Sequence, residues 1–169
     1  MYIYTLHTRN KYFFARLITT RVHLQIDFVA KNNKVQKIDR TIPDHLELNP
    51  FLETSLEPDL HHYGLYSKKA FDLFCHLFNL EDAKITTVWY EKIPFYAIKP
   101  PLITPNSISK KSISVAEVML KYYKKQPLDM FLCSNDGHPH VSENFKKTVE
   151  SYQLTGFDFQ LVWKDSATV

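Results

Sequence analysis

Glycine is nearly absent from this chain, with only 3 in 169 residues. Loops that wrap phosphate with their own backbone N–H groups need closely spaced glycines, so the common nucleotide-binding loops are excluded at the outset. Cysteine is scarcer still. Cys75 lies in FDLFCHLF and Cys133 in DMFLCS, both apolar stretches. This pattern reads as two buried thiols in a reducing cytoplasm, since one bridge is no framework for a chain of this size. No apolar run approaches the length that crosses a bilayer. The opening MYIYTLHTRNKYFF lacks the basic start and continuous apolar centre of a secretory signal, so the expected setting is cytoplasmic, with no membrane. A strong charge of either sign is missing too. Lys and Arg total 21 against 18 Asp and Glu, a net +3 that does not by itself imply nucleic acid.

What the chain does have is aromatic bulk. Twelve Phe, ten Tyr and two Trp bring the hydrophobic share to 44%, enough to fill a core without a staple. The length suits a single domain over residues 1–169. Charge is unevenly spread within it. Residues 44–59, DHLELNPFLETSLEPD, hold five acids and no Lys or Arg, whereas 110–125, KKSISVAEVMLKYYKK, hold five lysines and one glutamate.

Periodicity sets the expected layout. Residues 1–40 read as strands: YIYTL and YFFARLI flank a polar break, and VHLQIDF alternates with Val22, Leu24, Ile26 and Phe28 on one face. KVQKID, after Asn32-Asn33, is the expected return arm of a hairpin. Residues 40–64, with Pro43, Pro50 and Pro58, read as a long irregular connection. A helix is expected after Ser67, with Phe71, Phe74, Cys75 and Phe78 on its apolar stripe, followed by strands KITTVWY and PFYAIK. The Ser114–Glu117 capping-box spacing predicts another helix, carrying Val115, Val118, Met119, Tyr122 and Tyr123 on one face and ended by Pro127. LDMFLCS reads as a strand, and Asp136-Gly137 as a tight reversal. Ser142 then caps a helix with Phe145, Val149 and Tyr152 inward. Gly156 ends it, and Phe157, Phe159, Leu161 and Trp163 alternate along a last strand. The expected class is α+β: a mixed, mainly antiparallel sheet with about three amphipathic helices packed on it. Two helix–strand units, 65–98 and 112–165, look alike. YSKKAFDLFCHLFNLEDAKITTVW and VSENFKKTVESYQLTGFDFQLVW share serine cap, helix, break, strand and Val-Trp.

Candidate chemistry is sparse. Of the eight histidines, His138-Pro139-His140 and His61-His62 are the most metal-like. No His-Glu-x-x-His or Cys-x-x-Cys holds them in ligand spacing, so no metal site is assigned and they read as surface or partly buried side chains. Cys75 on an apolar stripe lacks the electropositive, accessible setting of a nucleophile, and no Gly-x-Ser-x-Gly elbow occurs. Carboxylate pairs such as Glu81-Asp82 read as solvated surface. The lysines around Tyr122 and Tyr123 invite a nucleic-acid reading, but those tyrosines share the apolar helix face, which leaves the lysines as its solvated side. No catalytic residue and no cofactor are therefore assigned. A small enzyme and a nucleic-acid-binding module built on 110–125 remain the alternatives.

VSENFKKTVESYQLTGFDFQLVW resembles the V-S-x-x-F, helix, L-x-G-x-x-F closing module of bacterial polymorphic-toxin immunity proteins, in particular the DUF1629-like, myxobacterial-type group. TIPDHLEL is similar to that group's P-D-x-L segment, LYSKKAFDLF to its first serine-capped helix, and FYAIKP to the strand that follows. The matches run from about residue 41 to the C-terminus. The resemblance implies a non-enzymatic protein that binds and neutralises a cognate toxin domain stoichiometrically, without membrane or nucleic acid. Such inhibition needs a rigid, charge-complementary surface with a few anchors. The expected contacts are Asp44, Glu47, Glu53, Glu57 and Asp59 of the acidic stretch, with Asp136, His138 and His140 of the later hairpin.

Overall fold

The computed structural model describes residues 1–8, 13–19, 24–30, 42–47, 64–103, 128–133 and 138–165. Along these the chain forms β1 (Tyr2–Thr8), β2 (Phe13–Thr19), β3 (Leu24–Ala30), β4 (His45–Glu47), β5 (Gly64–Ser67), α1 (Lys68–Leu77), β6 (Lys84–Tyr90) and β7 (Ile93–Lys99). There follow β8 (Leu102–Ile103), β9 (Met130–Cys133), β10 (Pro139–Ser142), α2 (Glu143–Ser151) and β11 (Phe157–Lys164). The strands make two sheets, β11-β1-β10-β9-β8 and β2-β3-β6-β7-β5-β4. All pairings are antiparallel except β3 with β6 and β8 with β9, so the class is α+β as the patterning predicts. Two helices, not three, are found among the described residues. The helix expected after Ser114 lies outside them, as do the KVQKID arm and the Asp136-Gly137 turn. The 40–64 connection is not wholly irregular, because β4 forms inside it and pairs with β5.

Both helices begin as the serines predict. Ser67 Oγ accepts the Ala70 N–H at 3.2 Å and Ser142 Oγ accepts the Phe145 N–H at 3.0 Å, each satisfying one of the orphan donors of a first helical turn. The apolar stripe of α1 is rotated from its expected position. Ala70, Phe74 and Phe78 are buried, whereas Cys75 is exposed. Phe71 stacks flat on Tyr96 of β7 at 3.9 Å on the helix flank, which fixes the rotation and carries Cys75, one turn further on, to the surface. Of the two cysteines only Cys133 is buried, and both are free thiols. On α2, Phe145 and Val149 face the core, but Tyr152 is 53% exposed because it is the C-cap, where the helical twist has already ended.

The two halves repeat one another. In each, an aspartate precedes a short strand, an antiparallel strand returns to a serine cap, and a helix leads into a third strand. Tyr66, one before the first cap, pairs with His45, and Val141, one before the second, pairs with Met130. The central strand of each lobe keeps the same register. Ser67 and Tyr66 face Phe95 and Tyr96, while Ser142 and Val141 face Ile3 and Tyr4. Thus β6-β7-β5-β4 corresponds to β11-β1-β10-β9, except that β7 follows its module in the chain whereas β1 precedes its own. Even the flanks correspond. Phe71 stacks on Tyr96, and at the equivalent place Lys146 lies over the Tyr4 ring at 4.6 Å.

The lobes share one core. Phe74 of α1 meets Phe145 of α2 at 4.8 Å between ring centres, and Phe78 stacks on Phe145 at 5.2 Å. Size is exchanged between equivalent positions: Ala70 and Phe74 on one helix answer Phe145 and Val149 on the other, and all four are buried in the shared core. The last strand departs from simple alternation. Tyr4 pairs with Leu161 but Ile3 pairs with Trp163, so Val162 is an extra residue, a β-bulge. Phe157, Phe159 and Leu161 stay on the helix side, while Trp163 is flipped to the other face, where it packs with Ile3, Phe131 and Cys133.

Candidate partner-binding surface

Asp44 is one of the expected contact residues, but its side-chain hydrogen bonds point inward. Its Oδ1 accepts from Ser67 Oγ at 2.6 Å, and its Oδ2 accepts the N–H of Thr155 at 2.9 Å and the hydroxyl of Thr155 at 3.2 Å. Its own backbone carbonyl takes the Ser67 N–H at 2.9 Å. One carboxylate thus ties the cap of α1 to the turn after α2 and braces lobe against lobe. Asp129 fills the corresponding place at the second cap. Its Oδ1 accepts from Ser142 Oγ at 2.6 Å and from Asn144 Nδ2 at 3.2 Å, and its carbonyl accepts the Ser142 N–H at 3.0 Å. Asp129 is absent from the expected set. Its signal in the sequence is an aspartate immediately before the short strand that pairs with the one leading to a serine cap, a pattern visible only once both copies are aligned.

The histidines separate into exposed and buried. Thr5 pairs with His140, so two residues further along these antiparallel strands His7 lies beside His138. Their ring centres are 4.6 Å apart. On the other side His7 pairs with Asp158. Cross-strand partners share a face, so Asp158, His7 and His138 form a row across β11, β1 and β10 on the face away from the helices. Asp158 and His138 are exposed and His7 is half-buried. His140 occupies the next row inward, fully buried against the Phe131 ring at 5.4 Å, so it does not project from the hairpin as expected. The backbone of Glu47 pairs with Gly64 at the end of β4. Glu53, Glu57, Asp59 and Asp136 lie outside the described residues.

His45, expected with the other histidines to be at the surface or partly buried, is fully inside. It is 1% exposed and packs in a three-ring cluster with Tyr66, at 5.0 Å, and Phe157, at 4.9 Å, which also stack on each other at 6.1 Å. Burial pushes its pKa down to about 4, against which hydrogen bonds to the Gly156 and His7 backbones act only partly. Its Nδ1 has no hydrogen-bond partner among the described residues. The Cys75 thiol is pushed up by partial burial and the nearby Asp72 carboxylate, the opposite of what activates a nucleophile. Among the described residues, no three His, Cys, Asp or Glu side chains converge as metal ligands. No described helix is long and apolar enough to cross a membrane.

What the arrangement defines is an α+β scaffold of two latched, pseudo-equivalent lobes that presents a polar Asp158–His7–His138 row and an apolar strand end at Leu161 and Val162. Neither a protein-family model, a curated protein nor a solved structure matches this chain.

Proposed function

We propose that this protein is an immunity protein, neutralising a cognate bacterial toxin domain by stoichiometric binding. The observation that carries the reading is that the segment resembling the immunity-protein closing module folds as a braced unit. Ser142 caps α2 and Asp129 holds Ser142. The helix ends at Ser151 rather than at Gly156 as expected, because Gln153 takes a φ of +52° and the Leu154 N–H donates to the Val149 carbonyl at 3.0 Å. β11 then takes the edge of its sheet. A second support is the latch at Asp44. Holding two lobes in fixed relation keeps a binding surface preorganised, which lowers the entropic cost of docking. The exposed contacts would be the Asp158–His7–His138 row, with Glu53, Glu57 and Asp59, which lie outside the described residues, as further charged candidates. Asp44 itself acts as the brace behind that surface.

The reading requires a toxin reading frame beside this one, and the test is co-expression with the C-terminal domain of that neighbour. The reading expects restored growth and a co-purifying one-to-one complex. Continued killing, with no complex on size-exclusion chromatography, refutes it.

A further inference from the structure

The twin lobes differ at one edge. In the first, β6 is flanked on one side by β7 and on the other by β3, which runs parallel to it with Gln25 beside Trp89. In the second, the equivalent strand β11 is flanked by β1, and its other side ends the sheet among the described strands. The same scaffold position therefore carries an added strand in one lobe and presents a strand edge in the other. β11 is also the longest described strand, and Leu161 and Val162 on it are 51% and 38% exposed. A long edge with exposed apolar side chains is a template for strand addition.

We propose that β11 is an acceptor edge, onto which the partner protein lays an extended strand as β3 lies on β6. The inference rests on the immunity reading and names its docking mode. The bulge at Val162 limits the pairing, because an extra residue breaks the ladder and re-aims the strand. The addition thus covers Phe157 to Leu161. Within that stretch Asp158 is exposed on the His7 side, while Phe159 and Leu161 lie on the helix side. The matching partner strand carries a basic residue opposite Asp158 and apolar residues on its alternate positions, toward Phe159 and Leu161. Backbone pairing supplies the affinity, and these two side-chain features supply the choice of partner.

The experiment uses the full chain and the C-terminal domain of the neighbouring toxin that the immunity reading requires. Affinity is measured for wild type, Leu161→Lys and Asp158→Asn, and backbone amide exchange is followed in the free and bound protein. Leu161 is half-exposed, so the lysine is expected to leave the unfolding midpoint near that of wild type. The proposal expects at least a tenfold loss of affinity for Leu161→Lys and a smaller loss for Asp158→Asn. It also expects slowed exchange of the Phe157–Leu161 amides in the complex. Wild-type affinity in Leu161→Lys, or unchanged exchange on β11 within a stable complex, overturns the acceptor edge and leaves the immunity reading standing. Failure of the wild type to bind overturns both.

Discussion

Acidification should loosen this fold through one buried imidazole. His45 lies at the seam between the lobes. Its backbone N–H donates to the Thr155 carbonyl at 3.1 Å, and its ring packs against both Tyr66 of one lobe and Phe157 of the other. The ionisable groups facing it are His7 from β1 and Tyr66 from β5, with Asp44 next in the chain. Of these His7 disfavours the charged form. The folded pKa, about 4, lies below the ordinary value of 6.5 that the unfolded chain recovers. Between those two values the unfolded state binds a proton that the folded state refuses. The stabilisation is therefore complete above pH 6.5 and is lost as pH falls through 4. At about 1.4 kcal/mol per pH unit the whole window is worth roughly 3 kcal/mol, a large part of a small domain's margin. The assay is urea unfolding from pH 8 to pH 4 on wild type and on His45→Phe, which keeps an aromatic ring against Tyr66 and Phe157 and removes the titrating group. Wild type should lose about 2 to 3 kcal/mol more than the variant across this range. Equal losses in both proteins would show that His45 is not the acid-sensitive group and would refute the argument.

The two cap braces should differ in weight. Asp44→Ala frees three hydrogen bonds and the link between lobes and should cost about 2–3 kcal/mol, against about 1–2 kcal/mol for Asp129→Ala, read from denaturation midpoints. Gly156→Ala should be worse than an ordinary surface change. Its φ is +88°, and an added Cβ meets the His45 carbonyl and, at 2.7 Å, the Pro43 side chain; a loss of more than about 2 kcal/mol is expected by thermal or chemical unfolding. Phe145→Ala should cost about 3–5 kcal/mol, because its ring fills the space between Phe74 and Phe78. Cys75 should react with a thiol reagent in the folded protein, slowly at pH 7 because its pKa is raised. Cys133, only 5% exposed, should wait for unfolding, and mass spectrometry distinguishes the two.

Local signals were legible wherever the physics is local. Ser67 and Ser142 announce their helices because a cap is decided within three residues, and the alternation of KITTVWY and FDFQLVWK announces strands because side chains on a strand alternate by two. The mainly antiparallel α+β class and the likeness of the two helix–strand units follow from the same signals. Tertiary structure decided what depends on a neighbour far along the chain. The stack of Phe71 on Tyr96 turned α1 and exposed Cys75, and the bulge at Val162 sent Trp163 to the opposite face. The neighbouring strands β1 and β9, with Phe131 stacked on its ring, put His140 inside, and packing at the seam made His45 a buried base. Asp44 shows the division most clearly. In the sequence it is one acid among five in a polar stretch, and its charge suggests a solvent-facing contact. In the fold Thr155, 111 positions away, comes within hydrogen-bond reach of it, and the residue becomes a brace. Composition fixes how many such groups a chain carries, but partners distant in sequence fix which of them face water.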